Sequence, residues 1–223
     1  MNGPHSGPYY DFGLWTLDSE LAPQGRLRLG VLLSGGGRTF QNLHELCARG
    51  ELPAVIAVVV SSRPDAYGIE RARRVGIETV IVDHKRLDHE VFDSTITSAL
   101  EAARVDLVCM AGFTALWHIP PRFEDRVLNI HPALLPKFGG KGFYGERVHR
   151  AVLEAGETES GCTVHVCDNQ YDHGPIVLQR RVPVLPDDTA ESLAARVFEQ
   201  ELVAYPEAVR RYLRSPVGFG EGS

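Results

Sequence analysis

The sequence predicts an α/β fold: an open, mostly parallel sheet with helices on both faces and an antiparallel addition toward the C-terminal end. Three observations predict it. From residue 27 onward, apolar runs alternate with helix-like stretches in a repeated strand–helix rhythm. The run A-V-I-A-V-V-V-S at 54–61 is continuously apolar, the pattern of a strand covered on both faces. Late in the chain, two strand-like runs are joined by the turn-rich loop D-N-Q-Y-D-H-G-P, which reads as a hairpin-like pair.

Taken in order, residues 1 to about 26 are rich in Gly, Pro and polar residues and show no period, so they read as a flexible or docked arm. L-R-L-G-V-L-L (27–33) is the first strand, and 39–48 a helix stopped near Gly50 and Pro53. The strand at 54–61 is followed by a helix at 65–75 that ends at Gly76. E-T-V-I-V-D (78–83) is a strand and 89–103 a helix. D-L-V-C-M-A (106–111) and V-L-N-I-H (127–131) are the next two strands. After a helix at about 144–155 come C-T-V-H-V-C (162–167) and I-V-L-Q-R-R-V-P-V (176–184). A final helix spans 189–213, with Thr189 as its N-cap and Glu191 in its first turn. Right-handed crossovers follow for the parallel part.

The 223 residues fit one domain with a sizeable core. With 43% hydrophobic and 23% charged residues, the composition is that of a globular protein. A net charge of −6 argues against general affinity for nucleic acid or an anionic membrane. No apolar run approaches the roughly 20 residues of a spanning helix, so no membrane role is expected. The N-terminus has neither the basic region nor the apolar core of a secretion signal. Cys47, Cys109, Cys162 and Cys167 form no C-x-x-C pair, so no metal is expected, and a reducing cytoplasm fits. Cys109, inside L-V-C-M-A, reads as a small buried hydrophobe.

Three constellations carry chemistry. The first is S-G-G-G-R-T (34–39), between the first strand and the first helix. Glycines there let backbone N–H groups face an anion at a helix start. It is neither a Walker A loop nor G-x-G-x-x-G, since position 40 is Phe, so a single phosphate is favoured over a dinucleotide. A tight turn without a ligand is the alternative. The second is Asn129 and His131, two positions apart at the C-terminal end of a strand and so on one face. An amide can donate to a developing oxyanion and an imidazole can donate or accept a proton near neutral pH; a histidine capping the strand end is the plainer reading. The third is Asp172 in Y-D-H-G-P, which is turn chemistry unless it reaches His131, 41 positions earlier.

Together and in this order, these pieces resemble the folate-dependent formyltransferase family, within it the branch acting on glycinamide ribonucleotide. The resemblance covers about residues 27–213. It is most specific at N-I-H-P-A-L-L-P, at G-C-T-V-H-V-C-D-N-Q-Y-D-H-G-P-I-V-L-Q and at A-R-V-F-E-Q-E-L-V-A-Y-P. It implies a Rossmann-like domain whose N-terminal half binds phosphate and whose C-terminal half completes a folate pocket, with 214–223 as a tail. It implies catalytic roles for Asn129, His131 and Asp172, phosphate binding by Gly36, Gly37, Arg38 and Thr39, and an amine contact from Glu201. Folate contacts are implied for Phe113, Thr114, Ala115, Leu116 and Trp117 and for Asp168, Asn169, Gln170 and Tyr171. His165 matches a family histidine near the site. Lys137 and Lys141, in the basic loop K-F-G-G-K-G-F-Y-G, are further candidates for the phosphate, with solvated loop lysines as the alternative.

The expected activity is transfer of a formyl group from 10-formyltetrahydrofolate, as cosubstrate, to the amine of glycinamide ribonucleotide, without a metal. The partners are these small molecules, with a homodimer left open. A deformylase or a sugar-nucleotide formyltransferase would share Asn129, His131 and Asp172. A methionyl-tRNA formyltransferase would need basic surface and a further domain. A non-catalytic folate or nucleotide sensor would have no need of those three polar residues.

Overall fold

The computed structural model describes residues 26–214. The arm expected at the N-terminus and the tail expected after the last helix lie outside the described residues. Seven strands form one sheet: β1 (Leu27–Leu33), β2 (Ala54–Ser61), β3 (Thr79–Ile81), β4 (Leu107–Met110), β5 (Val127–His131), β6 (Glu159–Val166) and β7 (Ile176–Pro183). Their spatial order is β3-β2-β1-β4-β5-β6-β7. The first five run parallel, and β6 and β7 add antiparallel to β5. The helices are α1 (Arg38–Ala48), α2 (Tyr67–Arg74), α3 (His89–Ala102), α4 (Glu146–Glu154) and α5 (Ala190–Arg214). No described helix is long and apolar enough to cross a membrane.

The period of two along β1 decides the layering. Leu29, Val31 and Leu33 point into one core with residues of α1, α2, α4 and α5. Leu32 points into a second core with Phe92, Ile96 and Leu100 of α3. Gly30 lies on that second side, and a Cβ there would sit 2.5 Å from Leu100. Its missing side chain lets α3 press onto the sheet. Cys109 is fully buried, as its apolar run predicts.

Element boundaries shift where pairing overrides pattern. β6 begins at Glu159, three residues before the apolar run, because Glu159, Ser160 and Gly161 pair with Pro183, Val182 and Arg181. A Cβ on Gly161 would stand 2.0 Å from the Arg180 carbonyl, so only glycine fits that pairing. β3 shrinks to three residues because only Thr79, Val80 and Ile81 find partners on β2. Thr189 does cap α5: its Oγ1 accepts the Ser192 N–H at 3.1 Å, and the Ser192 hydroxyl accepts the Thr189 N–H at 3.0 Å.

Two side chains fix α5 against the sheet. Tyr205 is fully buried and its hydroxyl lies 2.9 Å from the Met110 carbonyl and 2.8 Å from that of Leu128, joining β4 to β5. Pro206 stands inside α5 and has no N–H for the carbonyl four residues back, that of Leu202. Asn42 of α1 donates to that carbonyl at 2.8 Å. The loss of one helical bond thus becomes a bond between two helices.

Candidate functional site

The strand order reverses between β1 and β4, the place where open α/β sheets hold their ligands. Three loops meet there. The turn after β1 is tied to the segment after β4: Ser34 N–H donates to the Gly112 carbonyl at 3.0 Å, and Thr114 N–H donates to the Ser34 hydroxyl at 3.0 Å. Ser34 and Ser62 share a hydroxyl–hydroxyl bond of 2.6 Å. The glycines of the first turn have steric reasons. Gly37 has φ 70°, and a Cβ there would be 2.5 Å from the Cα of Gly68 on α2. The carbonyls of Gly35 and Gly36 are taken by Gly68 N–H at 3.0 Å and by Arg71 at 2.9 Å. No side chain caps α1, so its first amides keep their donors.

At the end of β5, Asn129, His131 and Asp172 come together. Asp172 Oδ1 lies 3.2 Å from His131 Nδ1 and accepts from the Asn129 amide at 3.4 Å. Its other oxygen accepts the Gly140 N–H at 2.9 Å. His131 Nε2 faces the Phe138 carbonyl at 2.8 Å. Both nitrogens of His131 therefore face oxygen acceptors, the Phe138 carbonyl and the Asp172 carboxylate. Burial would raise the Asp172 carboxyl, but the hydrogen bond and charge of His131, with the Gly140 amide, hold it below the usual carboxylate range.

His165 joins this group through strand register. Asn129 and His165 are directly paired across β5 and β6, so their side chains meet. His165 Nδ1 donates to the Val166 carbonyl at 3.0 Å, which leaves Nε2 as an acceptor for the Asn129 amide at 3.1 Å. Burial pushes the His165 pKa down, keeping it neutral in that role. Thr163, paired with His131, is fully buried and donates to the Ala133 carbonyl at 2.6 Å while accepting the Leu135 N–H at 3.1 Å. Gln179 of β7 donates to the Leu135 carbonyl at 2.9 Å. Thr163 and Gln179 hold the P-A-L-L-P turn that follows His131. Neither was singled out in the sequence, because only the antiparallel register places them under that turn.

Asp172 is set by glycines. It has φ 50°, and Gly174 behind it has φ 99°; a Cβ on Gly174 would lie 2.2 Å from the Val166 carbonyl. A Cβ on Gly139 would meet Leu135 at 2.5 Å and Asp172 at 3.2 Å.

Glu201 and Arg38 form a second group. The half-buried Glu201 carboxyl is pushed up to about 7 by burial, against the lowering charge of Arg38. The Arg38 guanidinium sits 3.9 Å over the Phe198 ring of α5, while the residue itself stays exposed. Thr39 is buried at the start of α1. Lys137 pairs with Glu157 at 2.8 Å, whereas Lys141 is exposed on its loop.

The two segments expected at the folate lie side by side. Ile119 N–H donates to Asn169 Oδ1 at 2.8 Å. Thr114, Asn169, Gln170 and Tyr171 are exposed, and Phe113, Ala115, Leu116 and Asp168 are partly so. Trp117 departs from expectation. It is 2% exposed and packs on Phe123, so its side chain anchors the loop from below and has no face for a ligand. His149 was missed in the sequence. It is buried on α4, its Nδ1 has no partner, and burial together with the charge of His131 lowers its pKa to about 4.

A doubly wound sheet carrying an Asn–His–Asp cluster at the end of β5, one strand beyond its switch point, is the frame of a formyl-transfer protein, and residues 27–209 match the formyl transferase family, to which the chain belongs. A phosphoribosylglycinamide formyltransferase from Haemophilus influenzae is 37% identical over 82% of this chain and 85% of its own length. A chloroplastic phosphoribosylglycinamide formyltransferase from Vigna unguiculata is 41% identical over 82% of this chain, which spans 60% of that protein. The trifunctional purine biosynthetic protein adenosine-3 of Drosophila melanogaster is 41% identical over 85% of this chain, which spans 14% of it. Among solved structures, glycinamide ribonucleotide transformylase 1 from Symbiobacterium toebii superposes with a TM-score of 0.80 at 43% identity, covering 85% of this chain and 89% of that one.

Proposed function

We propose that the protein transfers the formyl group of 10-formyltetrahydrofolate to the amine of glycinamide ribonucleotide, giving formylglycinamide ribonucleotide and tetrahydrofolate. The observation that carries this reading is the convergence of Asn129, His131 and Asp172 in a chain of the formyl transferase family. The names of the relatives support the acceptor.

In this reading the substrate amine attacks the formyl carbon, and the formyl oxygen gathers negative charge. His131, oriented by its pairing with Asp172, donates from Nε2 to that oxygen in place of the Phe138 carbonyl. The Asn129 amide has one proton fixed on His165, and its second, on a long 3.4 Å contact to Asp172, is available to be shared with the oxyanion. Asp172 stabilises the imidazolium and helps carry the proton from the attacking nitrogen, through water, toward the leaving nitrogen of the folate. A carbon–nitrogen bond forms to the acceptor and one breaks at the donor, so no oxidant or reductant is needed.

The uncapped start of α1, at Gly36, Gly37, Arg38 and Thr39, is the proposed phosphate site. Glu201 is the proposed partner of the substrate amine. Phe113 to Leu116 and Asp168 to Tyr171 are the proposed folate walls, with Trp117 beneath them. The phosphate half and the folate half then meet at the end of β5. Four free cysteines support a reducing cytoplasm as the compartment.

The test is formyl transfer by purified protein with 10-formyltetrahydrofolate, with and without glycinamide ribonucleotide. Formylated product should appear only with the ribonucleotide. Removing the oxyanion donor in His131→Ala should slow it at least about a hundredfold. Tetrahydrofolate released without the ribonucleotide would replace the reading with hydrolysis. Binding of both ligands without turnover would replace it with a sensor.

A further inference from the structure

We propose that His89, Asp93 and His118 form a surface site for a divalent transition-metal ion, Zn²⁺ by its donor set, that fastens the segment after β4 to α3. His89 and Asp93 are four apart on α3 and so share a face. His118 arrives 25 positions later, at the end of the 113–117 segment. Both imidazoles turn Nδ1 to one atom: His89 is 3.0 Å and His118 2.8 Å from Asp93 Oδ2. The rings lie 4.6 Å apart, and the potential ligand atoms all fall within 4.8 Å of one another.

An ordinary His–Asp pair on a helix needs one imidazole. Here a second ring, from a distant part of the chain, converges on the same carboxylate oxygen. The backbone helps place it: His118 N–H donates to Asp93 Oδ1 at 3.2 Å. Zinc bonds of about 2.0–2.1 Å to imidazole and 2.0–2.2 Å to carboxylate put tetrahedral ligands about 3.4 Å apart. The observed pairs must spread by about half an ångström for that. Both histidine side chains are 54% exposed and free to do so, which also leaves a fourth position open to water. Two imidazoles and one carboxylate, with no thiolate, suit Zn²⁺ better than Mg²⁺ or Ca²⁺, which take oxygen ligands.

The site lies next to the proposed folate wall. His118 precedes Ile119, whose N–H holds Asn169 of the loop carrying Asp172. An ion on His118 would stiffen that pair of loops. This consequence rests on the proposed function, whereas the binding itself does not.

The test is a Zn²⁺ titration of the untagged full-length protein against a competing chromophoric chelator, with Co²⁺ absorption as a second readout. One ion should bind per chain and raise the melting temperature. His89→Ala and His118→Ala should each weaken binding at least about tenfold and abolish the Co²⁺ band. His44→Ala, a histidine on α1, should change neither. Metal-free melting temperatures of the variants should match wild type, which separates lost coordination from misfolding. Affinity no tighter than on the order of 100 µM would overturn the proposal, as would binding that both variants retain. Loss of formyl transfer would touch neither readout, so the two readings fail separately.

Discussion

At the scale of single residues, the site is built from groups whose environments pull their protonation in opposite directions. Asp172 is held low by His131, His165 is kept neutral by burial, and Glu201 is raised to about 7. Glu201 gives a prediction with a definite sign. In the proposed contact with the substrate amine the ionised carboxylate is the strong acceptor, and this one loses its proton near pH 7 and not near 4.5. Activity should therefore fall as pH drops through about 7. In Glu201→Gln, kcat/KM at pH 8 should drop about tenfold or more and that part of the acid limb should flatten. A pH–rate profile unchanged in shape would remove Glu201 from the amine site. Asn129 and His131 were legible in the sequence because a strand's period of two puts them on one face. The orientation of Asn129 was not, since it depends on His165 standing opposite in the antiparallel register.

At the scale of elements, connections between segments decide where the site residues stand. Gly174 ends the turn that carries Asp172, with φ 99° and a virtual Cβ 2.2 Å from the Val166 carbonyl. Gly174→Ala should cost about 1–3 kcal/mol of stability. It should also lower kcat more than Gly112→Ala, at a positive-φ glycine with open space around it. Equal effects from the two would mean that backbone preference alone matters and the placement of Asp172 does not. Asn42 supplies a second prediction. It bonds the Leu202 carbonyl that Pro206 leaves without a helical donor. Asn42→Leu should cost about 1–3 kcal/mol in denaturant unfolding. In a Pro206→Ala background, where the helix can supply its own N–H, the same change should cost less. The sequence gave no sign that the Leu202 carbonyl would find its donor 160 positions away on α1.

At the scale of the whole molecule, stability toward acid should carry the mark of His149. Its pKa is about 4 in the folded chain against 6.5 when exposed. The unfolded chain therefore takes up the proton first as pH falls. Stability is intact above about 6.5 and is lost as pH drops toward 4, by at most about 3 kcal/mol. His149→Leu should flatten unfolding free energy over that window, and an unchanged acid profile would count against the buried neutral ring. By itself, the sequence determined the alternating elements, the sheet covered on both faces, the antiparallel addition and the shared strand face of Asn129 and His131. Those follow from local physics: hydrophobic period, strand-face geometry, and Gly and Pro at turns. The tertiary structure alone decided that Asp172 reaches His131, that Trp117 lies beneath its loop, that Arg38 faces Phe198 and that His118 meets His89 on one carboxylate. These are contacts between segments far apart in sequence, fixed by strand order and register, and a one-dimensional pattern carries no distance between them.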